Sequence, residues 1–219
     1  MYPIEPRRLI TTTMKQYSAP ARSGESEIIV KRSKFIARVI PVDSEDIAKE
    51  EIARVKALYH DARHNCWCYI IHGGPERYSD DGEPQGTAGL PMLEVFKRGG
   101  IYNICSVVTR YFGGILLGPG GLSRAYSEAV KLALAEAGTV AFRLCEHMEI
   151  TCGYNMLGKI KSEIESFSAS IESVTYGESA VFHIILPDGT SSDFNKRLME
   201  ASAGAVSGVV TDRRLRKTP

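Results

Sequence analysis

An acidic, glycine-rich segment carries the residue types best suited to chemistry. It reads SDDGEPQGTAG at positions 79–89. Asp80, Asp81 and Glu83 repel one another unless a cation, an arginine or backbone amides neutralise them. Metal ligands in an EF-hand need a longer spacing, so we assign no metal site. A solvated acidic turn is the alternative, but the long loop predicted over 73–91 favours a functional or partner-binding segment.

A second glycine-rich segment leads into a predicted helix that starts near residue 122. It contains RYFGG at 110–114 and GPGG at 118–121. Unpaired amides at a helix N-terminus attract anions, and we expect Arg110 and Arg124 beside this helix entry. The spacing matches neither a P-loop nor a dinucleotide-binding fingerprint. The alternative is that the glycines serve tight strand–helix packing.

Histidines and cysteines alternate on a predicted strand over 65–72. His64, Cys66, Cys68 and His72 would share one face, which resembles a zinc-ligand set. Neighbours on one face of a strand lie roughly 7 Å apart, too far to converge easily on one ion. We therefore expect buried thiols with one hydrogen-bonded histidine. A nucleophilic cysteine–histidine pair would need a third orienting group, which the sequence does not place.

The elements that position these segments follow from hydrophobic periodicity. Period-two alternation from Ser26 to Pro41 predicts a pair of strands, and helical spacing predicts an amphipathic helix over 44–59. A buried strand is expected at 101–109 and a short helix at 91–98. The long helix from about 122 should stop at Gly138.

A second unit is predicted to start near Thr139. Strands at about 170–176, 180–186 and 206–211 accompany helices that contain Ile160 and Phe194. With the first strand, the order is β-α-β-β-α-β, that of a ferredoxin-like split βαβ unit.

Composition places the chain among ordinary globular proteins. Hydrophobic residues make up 43% and charged residues 24% of 219 residues, and no apolar run is long enough to span a membrane. The five cysteines favour reduced thiols and a cytoplasmic location. Both ends are basic, with Arg7, Arg8, Lys15 and Arg22 near the start and Arg213, Arg214, Arg216 and Lys217 near the end. The body between them is acidic, so RNA contact would need the tails or a local patch.

Four segments together resemble the YigZ/IMPACT family. They are KRSKFIA at 31–37, DARHNC at 61–66, SDDGEPQGTAGLPMLEVF at 79–96, and VVTRYFGGILLGPGGLSRAYSEAV at 107–130. The resemblance covers an IMPACT N-terminal domain over about 25–137 and a small C-terminal domain over about 142–205.

The resemblance implies an α+β fold with two domains. The first is a two-layer α/β sandwich of the type found in a ribosomal protein, GHMP kinases and elongation factor G domain IV. The second is a ferredoxin-like βαββαβ domain similar to elongation factor G domain V. We expect a flexible basic tail at 1–24, the two domains at 25–138 and 139–211, and a second basic tail at 212–219.

The family motifs imply a binding surface in the first domain. Its members are His64, Asp80, Asp81, Gly82, Glu83, Thr87, Arg110, Tyr111, Phe112, Gly113, Gly114, Gly120, Gly121 and Arg124. The family implies a translation-linked protein that binds RNA, the ribosome or a protein partner. The alternatives are an enzyme or binding protein for a phosphorylated small molecule, with a phosphate-type anion as ligand, and a protein-interaction module in which Tyr111 and Phe112 are exposed. We assign no cofactor, no catalytic residue and no membrane contact.

Overall fold

The computed structural model describes residues 15–218, and its chain divides into two compact units. The first unit extends to Ala141 and the second begins at Phe142. The overall architecture is α+β, with two antiparallel sheets. No helix among the described residues combines the length and apolar character that crossing a membrane requires.

The first unit is built on a five-stranded antiparallel sheet with the order β2-β3-β6-β4-β5. Its elements are β1 (Gln16–Pro20), β2 (Gly24–Val30), β3 (Ser33–Pro41), α1 (Glu45–Leu58), β4 (His64–Ile70), β5 (Glu76–Ser79), α2 (Gly89–Arg98), β6 (Ile104–Tyr111) and α3 (Pro119–Ala137).

Alternation along the central strands gives this sheet two buried faces. Phe35, Cys66 and Val108 point to the face covered by α2 and α3. Tyr69 and Val107 point to the opposite face, where α1 buries Ala48, Ile52 and Val55. Helix α1, predicted over 44–59, therefore covers the second face of the sheet.

Two short strands, β1 and β5, lie in segments whose sequence predicts irregular chain. β1 falls inside the predicted tail 1–24, where Ser18 N donates to Gly100 O at 3.0 Å and Tyr17 stacks on His72. β7, which follows α3, extends from Thr139 to Cys152. β5 falls inside the predicted loop 73–91 and pairs with β4. Within residues 16–20 and 76–79 the structure therefore differs from the expectation, because such short strands are defined by their pairing partners and not by local periodicity. Residues 1–14 lie outside the described part.

The second unit has the predicted ferredoxin-like order. Its elements are β7, α4 (Leu157–Ser166), β8 (Ser170–Tyr176), β9 (Ala180–Pro187), α5 (Ser191–Ala201) and β10 (Gly208–Lys217), with a 3₁₀ turn at Tyr154–Met156. The strand order β10-β7-β9-β8 is antiparallel throughout. Phe182, Phe194 and Leu198 are buried in the core between sheet and helices.

The predicted basic tail at 212–219 is largely part of β10. This strand pairs with β7 as far as Lys217. Arg213 forms an ion pair with the buried carboxylate of Glu146, and Arg216 pairs with Glu172 at 2.5 Å. These arginines are therefore partly committed to the sheet, which weakens the expectation that this end binds RNA as a free basic tail.

We expect substitution of Gly24 by alanine to destabilise the first unit. A Cβ at Gly24 would overlap the Ala133 carbonyl oxygen and the Ala137 amide of α3. Overpacking of this kind costs about 1–3 kcal/mol. Urea unfolding followed by the fluorescence of Trp67, the single tryptophan, measures the loss. Gly120→Ala is the control, since its Cβ would meet only the Arg124 side chain at 3.6 Å; equal stability of both variants would contradict the packing argument.

Candidate functional site

The sheet topology brings the two glycine-rich motifs to the same end of the first unit. Strand β6 lies between β3 and β4 and is antiparallel to both. Arg110, near the end of β6, therefore lies opposite Phe35 on one side and His64 on the other. The starts of β3 and β4 meet the end of β6, and the loops attached there become neighbours.

A buried ion pair connects the acidic loop to this end of the sheet. The Arg110 Nη1 atom lies 2.6 Å from Glu83 Oε1, and the two side chains are 6% and 3% exposed. The Tyr126 hydroxyl of α3 donates to the same carboxylate oxygen at 2.9 Å. The Arg110 Nη2 atom donates to Ser33 Oγ at 3.3 Å. One ion pair thus joins the loop, two strands and a helix.

The Arg110 guanidinium is also enclosed by two aromatic rings. Its central carbon lies 5.4 Å from the Phe35 ring centre and 5.5 Å from the Phe112 ring centre, within cation–π range. The Nε atom of Arg110 is buried and has no hydrogen-bond partner. Among residues 15–218 it is the only buried side-chain nitrogen or oxygen in this situation. Phe112 remains 46% exposed, so part of its ring faces solvent.

The carboxylate of Asp80 organises the loop from within. Its Oδ1 atom accepts hydrogen bonds from the amides of Ala88 at 3.0 Å and Gly89 at 2.8 Å. Its Oδ2 atom accepts from the Gly86 amide at 2.7 Å. The amides of Ala88 and Gly89 lie at the start of α2, so Asp80 also satisfies the unpaired donors of this helix N-terminus.

Asp81 is neutralised by different partners. Its Oδ1 atom lies 2.6 Å from Nζ of Lys56, and its Oδ2 atom accepts from the Asn65 amide at 2.7 Å. The Asp81 carbonyl oxygen lies 2.9 Å from Nδ1 of His64. Each of the three carboxylates therefore has its own neutralising group within the protein.

The thiol of Cys66 lies beneath the same loop. It is 2.9 Å from the Asp80 carbonyl oxygen and 3.3 Å from the Tyr126 hydroxyl. Burial raises the pKa of this thiol to about 12 and also raises the pKa of Tyr126. The thiol stays protonated near neutral pH, which does not suit a nucleophile.

Cys68 is buried in the core and His72 stacks on Tyr17, so the four residues of the zinc-like pattern do not converge.

The two motif loops enclose a cavity of about 330 Å³, which we call the motif cleft. Its polar lining comes from Arg63, His64, Glu83 and Arg110. Phe112, Leu116 and Leu117 supply apolar surface, and Gly118 and Pro119 at the start of α3 close one side. Leu116 is 82% exposed at the rim. The cleft is therefore a largely apolar hollow beside the Glu83–Arg110 ion pair and two further basic side chains, Arg63 and His64.

Several predicted site residues support the loops and do not line the cleft. Thr87 is buried and donates to the Pro84 carbonyl oxygen at 2.6 Å. The Tyr111 hydroxyl donates to Asp61 at 2.8 Å. A Cβ at Gly113 would overlap the Arg32 carbonyl group, so glycine is needed for this close approach. Gly114 has a φ of 81° and lies in the same turn.

The helix entry is arranged differently from the expectation. Helix α3 begins at Pro119, and its first hydrogen bond runs from Leu122 N to Gly118 O at 2.9 Å, so the amides of Gly120 and Gly121 precede this bond. Gly121 and Arg124 line a neighbouring groove, and Leu117 is the one residue that lines both cavities. Arg110 and Arg124 thus line separate cavities and do not share one helix entry, although their positions in the sequence had indicated that they would.

Sequence reasoning missed four contributors to the site. Arg63 lines the cleft and immediately precedes His64, so its position was a usable signal. Tyr126 follows Leu122 at helical spacing, which marks it as inward-facing. Lys56 and Ser33 carry no such signal, because their partners Asp81 and Arg110 are distant in the chain.

Comparison with known proteins identifies both parts of the chain. Residues 31–134 match the family model described as "Impact N-terminal domain", and residues 150–205 match a "Domain of unknown function (DUF1949)". The IMPACT family member YvyE of Bacillus subtilis is 37% identical over 193 residues, which cover 87% of this chain and 89% of that protein. The chain belongs to the IMPACT family.

Other members of the IMPACT family match over different lengths. YigZ of Escherichia coli is 34% identical, covering 88% of this chain and 97% of that protein. Protein IMPACT of Rattus norvegicus is 34% identical over 108 residues, 46% of this chain and 33% of that protein. A crystal structure described as that of a hypothetical protein has a TM-score of 0.56 and 32% identity, covering 91% of this chain and 98% of that one.

Removal of Arg110 should strongly destabilise the first unit. Arg110→Ala leaves Glu83 charged and buried without its cation, and breaking a buried pair in this way costs about 3–5 kcal/mol. Urea unfolding followed by Trp67 fluorescence measures the change. Lys97→Ala breaks an exposed pair with Glu76 and serves as the control, with an expected loss below about 1 kcal/mol.

The double variant Glu83→Gln with Arg110→Met tests the electrostatic origin of this loss. It removes both charges, so it should be more stable than Arg110→Met alone, in which Glu83 stays charged and buried. If the double variant is no more stable than the single one, lost packing and not an uncompensated charge explains the effect.

The cysteines should differ sharply in their reactivity in the folded protein. Burial raises the pKa of Cys66 and of Cys105 to about 12, so both thiols are protonated at pH 8. Iodoacetamide, which reacts with thiolates, should label the half-buried Cys145 first. Mass spectrometry of digested protein identifies the labelled sites, with urea-unfolded protein as the control. Rapid labelling of Cys66 in the folded state would contradict its burial.

Proposed function

We propose that this IMPACT family protein is a translation-linked regulator that binds single-stranded RNA at the motif cleft. The observation that carries the proposal is the exposed Phe112 ring, which lies beside the cleft among basic side chains. Single-stranded RNA is bound by aromatic platforms on which bases stack, next to cations that follow the phosphates. The link to translation rests on the family resemblance.

The charge distribution around the cleft supports this assignment. Arg63 lines the cleft, and the Arg32 backbone lies against Gly113, next to Phe112. Among the ion pairs of residues 15–218, neither Arg32 nor Arg63 takes part in one. Glu83, the acidic residue in the cleft, is already neutralised by Arg110. Arg63 therefore gives the cleft a positive charge of its own, on a chain whose body is acidic.

Phe112 offers the geometry of a stacking platform. The Arg110 guanidinium lies 5.5 Å from the ring centre, which restrains the ring, while 46% of the residue is accessible. Stacking of a base on an aromatic side chain contributes about 1–3 kcal/mol and tolerates any base. Binding with little sequence preference is the expected behaviour.

Fluorescence anisotropy with a labelled twelve-nucleotide oligouridine tests the proposal. Phe112→Ala should weaken binding by about fivefold or more, which corresponds to about 1 kcal/mol or more. Its control is Tyr176→Ala, an exposed aromatic residue of the second unit. Arg63→Ala should reduce the slope of log affinity against log salt by about 0.7, because one phosphate contact is lost. Lys159→Ala in α4 is the matched control for charge.

A phosphorylated small molecule is the second candidate ligand. Its support is the size of the cleft, about 330 Å³, and the start of α3 at its edge, since helix N-termini favour anions. Uridine 5′-monophosphate distinguishes the two candidates. If it binds as tightly as the twelve-nucleotide RNA, the small ligand is favoured and the RNA proposal is wrong. Absence of RNA binding at low salt would also overturn the RNA proposal.

A further inference from the structure

A groove of about 640 Å³ lies between the edge strand β2 and the N-terminal half of α3, separate from the motif cleft. Ile28, Val30, Leu117 and Ala125 provide its apolar surface. Lys31 and Arg124 line its rim. We call it the edge groove.

The edge groove exists because α3 approaches β2 closely at one end and diverges at the other. At Gly24 the helix backbone is so close that a Cβ would overlap Ala133. Further along, the Ser26 side chain spans to the Ala129 carbonyl oxygen at 2.8 Å. At Ile28 and Val30 the side chains are larger than those of Gly24 and Ser26, and the space between the strand and the helix stays open.

Strand β2 presents a free backbone edge beside this groove. In the part of the chain that the structure describes, β2 pairs with β3 alone. The two-residue turn at Lys31 and Arg32 has φ values of 45° and 66°, typical of a tight hairpin in which the flanking residues Val30 and Ser33 exchange hydrogen bonds. The hydrogen-bond pattern then alternates, so the amides of Glu27 and Ile29 point away from β3.

Two of the usual protections of an edge strand are missing, and the two glutamates of β2 are already occupied, since Glu25 pairs with Arg38 and Glu27 with Lys34. β2 contains neither a proline nor a bulge, and Ile29 is 69% exposed on the face away from the groove. A free edge next to an apolar groove between a strand and a helix is the arrangement in which extended peptides add a strand. The added strand would direct alternate side chains into the groove.

The rim charges favour an acidic occupant. Lys31, Arg124 and Lys131 line the groove, against the single acid Glu128. None of these three cations forms an ion pair in the described range 15–218. An extended segment with apolar residues at alternate positions and carboxylates at its ends complements both the floor and the rim.

We propose that the edge groove binds an extended acidic peptide segment of a protein partner, which pairs with the free edge of β2. The peptide backbone bonds to the outward amides of Glu27 and Ile29, its apolar side chains cover Ile28 and Val30, and its acidic ends meet the rim. This site is independent of RNA binding at the motif cleft.

The probe is an acetylated nine-residue peptide, Asp-Glu-Val-Ser-Ile-Ser-Val-Glu-Asp, added to the full chain. Titration followed by amide NMR should shift the resonances of Glu27 and Ile29. A peptide with lysine in place of every acid is the control, and it should bind at least tenfold more weakly. Equal affinity for both peptides, or no shift at these amides at millimolar concentration, overturns the proposal.

Two substitutions test the edge and the rim separately. Ile29→Pro removes the outward donor from an edge position where proline is tolerated, and it should weaken peptide binding at least tenfold. Ile29→Thr keeps the amide and should bind the peptide within about threefold of the original chain. Arg124→Glu reverses one rim charge and should weaken binding at least fivefold, with Lys159→Glu in α4 as the control. Unchanged binding by Arg124→Glu contradicts the proposal even if Ile29→Pro fails to fold.

Other occupants give distinct results. Oligouridine that displaces the peptide would show that the groove belongs to the RNA surface. A dimer in sedimentation velocity that Ile29→Pro dissociates would assign the edge to a second copy of this chain. Either result overturns the proposal, whereas peptide binding to a monomer in the presence of saturating oligouridine supports it.

Discussion

The ion pair between Glu83 and Arg110 is the interaction on which the arrangement of the two glycine-rich motifs in the first unit depends. Two charges lose almost all contact with water there, and their attraction offsets that cost only with good geometry and further hydrogen bonds. Tyr126 and Ser33 provide those bonds, from α3 and from the start of β3. The acidic loop, the sheet and the helix therefore hold their positions through one charged contact.

The acidic loop directs its charges inward, and this determines what the surface offers. Asp80 turns to the amides at the start of α2, Asp81 turns to Lys56, and Glu83 turns to Arg110. Cations without ion pairs, such as Arg63, are left to set the local field. Net charge over a whole chain therefore says little about one end of it, because a binding partner responds to nearby charges first.

Hydrophobic periodicity was sufficient to predict the long elements. Helices α1 and α3 and the order of the second unit follow from apolar spacing, which reports burial on one face. The motifs also indicated which loops belong to the site. Strands β1 and β5 were not predictable in the same way, since β5 is four residues long, polar and defined by its pairing with β4.

Partner choice within the site was the least predictable feature. Arg110 was one of several groups able to neutralise the acidic loop, and the sequence did not assign it to Glu83 in particular. The pairing of Asp81 with Lys56 joins the acidic loop to the last turn of α1, 25 positions away in the chain, and nothing local marks it. Such contacts follow from tertiary structure, which brings a helix end and a loop together.

The immobilised Asp81 side chain also bears on the chemical ageing of the protein. An aspartate followed by glycine, as in Asp81-Gly82, is prone to isomerise, because the glycine amide nitrogen attacks the carboxyl carbon without steric hindrance. That attack needs the side chain to rotate towards the following amide. Lys56 and the Asn65 amide hold both carboxylate oxygens elsewhere. Isomerisation at this dipeptide thus requires the loop to open first, so its rate over long storage reports how often the loop opens.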